Sequence, residues 1–150
     1  MSGTGKSSAL AHLAALGFAT IDTDNDAWSQ WVTLPDGTRD WIWNEAAMTS
    51  LLTTSSATTL FVAGCKTNQG AFYRYFDDIV LLSAPIDVIL GRVATRSNNP
   101  YGKSFEERRE IIEYLETIEP RLRNGATLEI DVSVPLIDVV AQLAQLAVAD

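Results

Sequence analysis

The chain has 150 residues and a formal net charge of −8, with 47% hydrophobic and 20% charged residues. That length is one domain by the usual prior and enough to bury a core, while the acidic balance argues against a nucleic-acid or membrane surface, since either asks for a basic face. No apolar run approaches a membrane span, and the single cysteine, Cys65, permits no internal disulfide, so a cytoplasmic protein is expected.

Met1 to Ser8 reads MSGTGKSS, and Gly5, Lys6 and Ser7 fill the last three positions of the pattern G-x-x-x-x-G-K-[ST]. Glycines at 3 and 5, with Thr4 between them, let the backbone curl so that its N–H groups converge on an anion. Lys6 then reaches the β- and γ-phosphates of a nucleotide, Ser7 takes a place on Mg²⁺, and Ser8 continues the cradle into a helix whose N-terminal dipole adds to the attraction. The pattern's first glycine would precede Met1, with an apolar strand before it, so the chain is expected to start late. The helix carries Leu10, Leu13, Ala14 and Leu16 as its apolar positions, and Gly17 suits its C-cap. His12 is expected on an exposed face.

Phe18 to Ile21 is a short β-prone run that ends in Asp22-Thr23-Asp24. Two carboxylates one residue apart at the end of a strand suit metal and substrate work at the edge of a sheet, against the plainer alternative of a capped, solvated turn. Residues 25–57 form an aromatic-rich region that holds all four tryptophans, Trp28, Trp31, Trp41 and Trp43, with a turn signal at Leu34-Pro-Asp-Gly37. The periodicity predicts a helix from Asn44 to about Ser55, with Trp43 leaning to a core; Trp28 and Trp31 are open between core and substrate capture. Arg39 is the only cation of this stretch, and a candidate for an anionic substrate.

Thr58 to Ala63 has the continuous apolar character of a strand covered on both faces. The polar loop Gly64 to Gly70 follows, at the edge where α/β sheets bind ligands, and a short aromatic helix spans about Gln69 to Phe76. Cys65 reads as a packed residue. Asp78 to Ser83 is a further strand, leading through Pro85 into a helix with Ile86, Ile89, Leu90 and Val93 on its core side and Arg92 and Arg96 opposite. A loop of about 96–104 precedes the capping box Ser104-x-x-Glu107, whose helix is expected to end near Ile118, before Pro120. Ala126 to Asp131 predicts the last strand, and Pro135 to Val148 the last helix.

Helices alternating with strands at these lengths imply an α/β fold with a parallel sheet covered on both faces, in a single domain over residues 1–150. In this order, the nucleotide loop, the D-x-D, an arginine-bearing loop and the RNGATLEID run at Arg123 to Asp131 resemble the small P-loop kinases of the shikimate kinase, gluconate kinase and nucleoside monophosphate kinase group. The resemblance implies a three-layer P-loop NTPase fold with strand order 2-3-1-4-5, whose first, central strand is missing here. It implies ATP and Mg²⁺ as cofactors and a small-molecule acceptor, with no nucleic-acid or membrane partner. By motif, Asp22 corresponds to the carboxylate that helps hold Mg²⁺ and Asp24 to the one that activates the acceptor hydroxyl. Arg92 and Arg96 correspond to lid arginines on the transferring phosphoryl, and Arg123 to the arginine that grips an anionic substrate. The loop from Asp131 to Pro135 corresponds to the one beside the adenine. Shikimate kinases carry a glycine triplet after the third strand, whereas this chain has Ala63-Gly64-Cys65-Lys66, with Gly64 as the candidate substrate contact; that departure argues for an acceptor other than shikimate. A non-catalytic or regulatory ATP-binding protein, or an ATPase, is the alternative. No N-K-x-D or D-x-x-G element of a GTPase switch is present.

Overall fold

The computed structural model describes residues 3–148; the strand expected ahead of Met1 lies outside them. The described chain gathers into two compact units, one of them Lys6–Asp77 and the other formed by what lies on either side of it. No helix among the described residues is long and apolar enough to cross a membrane.

The unit Lys6–Asp77 contains α1 (Lys6–Ala15), β1 (Ala19–Asp22), β2 (Ser29–Thr33), β3 (Arg39–Trp43), α2 (Glu45–Thr54), β4 (Leu60–Ala63) and a 3-10 helix (Gln69–Tyr75). β1 and β4 pair in parallel, from Ala19 opposite Leu60 to Asp22 opposite Ala63. α1 packs on this pair through the buried stripe Ala9, Leu10 and Leu13. Two strands offer a narrow face, so the rest of the helix is left in water. Ala14 is exposed and Leu16 is 62% exposed, contrary to the apolar face expected of them.

The crossover between β1 and β4 holds a hairpin that sequence periodicity missed. β2 and β3 pair antiparallel, from Ser29 opposite Trp43 to Thr33 opposite Arg39. Leu34 to Gly37 is its turn as expected, closed by Leu34 N–H donating to Thr38 O at 2.8 Å; Gly37 sits at φ +84°, where a side chain is strained. Trp43 ends β3 and is buried with Met48 and Phe72, while Trp28 packs at the margin of the same cluster. Asn44 caps α2, its side chain accepting from Ala47 N–H at 3.0 Å.

The second unit contains β5 (Val80–Ser83), α3 (Ile86–Thr95), α4 (Phe105–Thr117), α5 (Glu119–Gly125), β6 (Leu128–Asp131) and α6 (Leu136–Leu146). β5 and β6 are parallel, from Val80 opposite Leu128 to Ser83 opposite Asp131, and α6 packs on β6, burying Val139, Val140 and Leu143. Ile89, Val93 and Ile111 form a core between α3 and α4. Ile86, expected on that core side, lies in the first turn of α3 and is 42% exposed. The capping box forms as expected, with Ser104 and Glu107 satisfying each other's backbone N–H groups. Pro120 does not simply end a helix. It stands in the first turn of α5, where the missing N–H costs nothing.

Parallel strands joined by helical crossovers make this a mixed α/β fold, as expected. The pairs β1–β4 and β5–β6 and the hairpin β2–β3 are each a two-stranded sheet, in place of the one continuous parallel sheet expected.

Candidate functional site

The glycine loop ahead of α1 has the backbone its glycines allow. Gly3 and Gly5 sit at φ +79° and +80°, in the left-handed region that glycine enters without a Cβ penalty. Gly3 is further confined, because a Cβ there would lie 3.0 Å from Ile89 and Val93 side-chain carbons. Thr4 between them is buried. α1 opens directly at Lys6, and Ser7 and Ser8 stand exposed in its first turn, where N–H groups have no partner within the helix.

Asp22 closes β1 and is used at both oxygens. Ser7 Oγ donates to Asp22 Oδ2 at 2.8 Å, and the Asp24 backbone N–H donates to Asp22 Oδ1 at 3.1 Å. Asn25 adds a side-chain N–H to the Asp22 carbonyl at 2.8 Å, which tightens the bend. A hydroxyl and a carboxylate side by side are the hard oxygen donors that Mg²⁺ takes, so these two residues fit the ion.

The residue between the two carboxylates is the anchor of the bend. Thr23 is fully buried; its Oγ1 donates to Ala63 O at 2.8 Å and accepts from Trp43 Nε1 at 2.8 Å. Ser29 Oγ donates to the Thr23 carbonyl at 2.7 Å. The foot of the hairpin therefore holds the D-x-D in place. Gly64 makes this possible, since a Cβ at that position would come within 2.2 Å of Thr23 Oγ1 and 3.2 Å of the Trp43 ring.

Lys66 was not singled out in the sequence, yet it meets the second carboxylate. Its Nζ lies 2.8 Å from Asp24 Oδ1, with its side chain 6% exposed and that of Asp24 52% exposed. The same ammonium sits 3.7 Å from the centroid of the Trp41 ring, and Trp41 stacks on Trp31, centroids 6.1 Å apart. Arg39 covers Trp31 at 4.8 Å. Arg39 is thus a neighbour of exposed tryptophan at the outer end of the hairpin, and Trp31 is 57% exposed there. The signal for Lys66 was its place, three residues past the end of the parallel strand β4, where α/β sheets present their ligand-binding groups.

The other expected residues lie in the second unit and each has local partners. Arg92 donates to the Val132 carbonyl, and Arg96 to the Tyr101 carbonyl at 2.7 Å. The 96–104 loop is tied down further by Lys103 Nζ, which donates to Ala94 O at 2.6 Å and Arg96 O at 2.7 Å. Arg123 is paired with Glu129 through Nε and Nη2, both at 2.8 Å, and with Glu119 at 2.8 Å. That guanidinium, helped by the Ser83 hydroxyl, pulls the Glu129 carboxyl down to about 2. Asp131 accepts from the Ser133 hydroxyl and N–H, which hold its carboxyl below the usual range. His12 is exposed and bonded only to its own helix, at Ser8 O. Cys65 is half-buried.

No family model and no curated protein sequence matches the chain. Among solved structures, the chain is similar to shikimate kinase from Acinetobacter baumannii in complex with shikimate. The TM-score is 0.65 at 21% identity, over 98% of this chain and 88% of that one. The likeness spans most of the length of both, and so this protein has the α/β fold seen in that shikimate kinase.

Proposed function

We propose that the protein transfers the terminal phosphoryl group of ATP to a hydroxyl of a small anionic acceptor other than shikimate. One observation supports this most directly: Ser7, Asp22, Asp24 and Lys66 form a continuous string of contacts, each of 2.8–3.1 Å, at the end of β1. It sets a metal-type oxygen pair beside a carboxylate with one oxygen still open. The fold likeness and the glycine loop agree with the same chemistry.

In this reading the backbone N–H groups of Gly3 to Ser8 and the Lys6 ammonium receive the phosphates. Mg²⁺, held by Ser7 and Asp22, would neutralise charge on the phosphate oxygens. Asp24 Oδ2 accepts the proton of the acceptor hydroxyl. The acceptor oxygen then bonds to the γ-phosphorus as the bond from that phosphorus to the β,γ-bridging oxygen breaks, releasing ADP. Such a transition state spreads charge over the phosphoryl oxygens, so positioning and cations carry the catalysis. For Arg39, Arg92, Arg96, Arg123 and Gly64, substrate or phosphoryl contact is part of the proposal.

The test is a transfer screen with Mg·ATP labelled at the γ-phosphate against sugars, polyols, hydroxy acids and nucleosides. Label recovered in an acceptor supports the proposal. Tight Mg·ATP binding with label released only as inorganic phosphate, or not at all, would replace it by an ATPase or a nucleotide-binding regulator.

A further inference from the structure

Asp24 lies on an exposed bend, and a free aspartate in such a place samples several rotamers. Here Lys66 stops that. Its ammonium takes Asp24 Oδ1 at 2.8 Å and leaves Oδ2 without a protein donor among the described residues.

The lysine is itself delivered rigidly. Lys66 N–H donates to Gln69 Oε1 at 2.9 Å, and Gln69 N–H returns to Lys66 O at 3.2 Å. Gln69 Nε2 donates in turn to Tyr73 Oη at 2.6 Å. Asn68 clasps β3 at two points, accepting from Trp43 N–H and donating to Trp43 O, both at 3.0 Å. The loop after β4 is therefore locked to the same strand whose Trp43 holds Thr23. Trp41, two residues back along β3, gives the ammonium the face of its ring, while its own Nε1 is buried with no hydrogen-bond partner among the described residues.

A buried ammonium is costly unless paired, and a buried ion pair contributes little net stability because desolvation consumes the Coulombic gain. Stability therefore does not account for a lysine with a 6% exposed side chain set against a half-exposed carboxylate. Orientation does. We propose that Lys66 is the positioning residue of the acceptor site: it fixes Asp24 by Oδ1 and so aims Oδ2 at the incoming hydroxyl. This rests on the phosphoryl-transfer reading and adds to it a residue from the loop after β4.

The test compares wild type with Lys66→Met, Lys66→Arg and Asp24→Asn. Lysines occur only at 6, 66 and 103, so ¹⁵N-lysine spectra resolve the ammonium groups and Lys66→Met assigns one of them. The Lys66 ammonium is expected to exchange slowly with solvent in wild type and faster in Asp24→Asn. Exchange as fast as that of free lysine, or unchanged by Asp24→Asn, would overturn the inference, and this arm needs no acceptor. In the second arm, Lys66→Met should keep its Mg·ADP affinity and its KM for ATP, while kcat toward the acceptor falls by about 10²-fold, the scale of a misplaced reacting group. Lys66→Arg should recover part of that loss. Unchanged kcat in Lys66→Met overturns this inference alone. A wild type that neither binds Mg·ATP nor transfers phosphate overturns the phosphoryl-transfer reading and this inference with it.

Discussion

Ser7 opens α1 and Asp22 closes β1, and the serine hydroxyl donates to the aspartate carboxylate at 2.8 Å. Helix and strand are joined by a tight connection at Gly17 and run in opposite senses, which brings the start of one to the end of the other. Two oxygens suited to a hard cation thereby meet at the head of the glycine loop. Asp22→Asn keeps an oxygen acceptor and removes the charge. The Mg²⁺ concentration needed for half-maximal ADP binding is expected to rise about tenfold, an effect of about 1.4 kcal/mol. A metal titration followed by calorimetry measures it, and an unchanged requirement would remove Asp22 from the metal site.

Asp24→Asn is expected to fail differently. ATP binding should be near normal, because the phosphate cradle does not involve this side chain. Phosphoryl transfer should fall by roughly 10²–10⁴, the usual loss when a general base is removed. Single-turnover kinetics on the acceptor identified by the transfer screen would measure the drop.

Lys6→Ala takes from the loop the cation proposed to face the triphosphate. Backbone amides alone do not balance that charge, so Mg·ATP affinity should fall by at least about tenfold, or about 1.4 kcal/mol. Calorimetry giving equal affinities for wild type and variant would contradict the role assigned to the loop.

Gly64→Ala tests the anchor beneath the two carboxylates. A methyl group 2.2 Å from Thr23 Oγ1 has to displace a buried side chain bonded to both Ala63 and Trp43. Overpacking of this kind costs about 1–3 kcal/mol. Trp43→Phe is milder: it keeps the ring in its cluster and loses one hydrogen bond, at about 0.5–1.5 kcal/mol. Denaturant melts rank the two, and Gly64→Ala should be the less stable.

The pair formed by Arg123 and Glu129 sets an acid limit on stability. The Glu129 carboxyl is depressed from 4.5 to about 2, first by Arg123 and then by Ser83. A carboxyl with a lowered folded value stabilises the fold above its unfolded value. That contribution is fully present above pH 4.5 and is lost as pH falls toward about 2. Glu129→Gln should flatten the stability profile across this window and leave its shape at neutral pH unchanged. Chemical denaturation at a series of acidic pH values would detect the difference.

Much of the layout was legible because local physics produced it. The capping box at Ser104 and Glu107 and the positive-φ glycines of the glycine loop depend on nearby residues, and the four short parallel strands formed where their own apolar, β-prone runs placed them. The hairpin was not legible. Ser29 to Thr33 and Arg39 to Trp43 are strands because they pair with each other, and their tryptophans read equally well as a satellite core. α4 ends at Thr117 with Ile118 as its cap, as expected ahead of Pro120, but α5 was not legible, since a proline that stops one helix is equally suited to the first turn of the next.

The candidate site divides along the same line. The sequence by itself determined the glycine loop and the two carboxylates at the end of β1, because glycine spacing and a D-x-D at a strand end are properties of contiguous residues. Only the tertiary structure decided that Thr23 is the buried anchor, that Gly64 is small for the sake of Thr23 and Trp43, and that Lys66 meets Asp24 across 42 residues of chain. Those contacts join β1, the hairpin and the loop after β4. They arise from where a crossover and a hairpin bring distant backbone together, which no local pattern encodes.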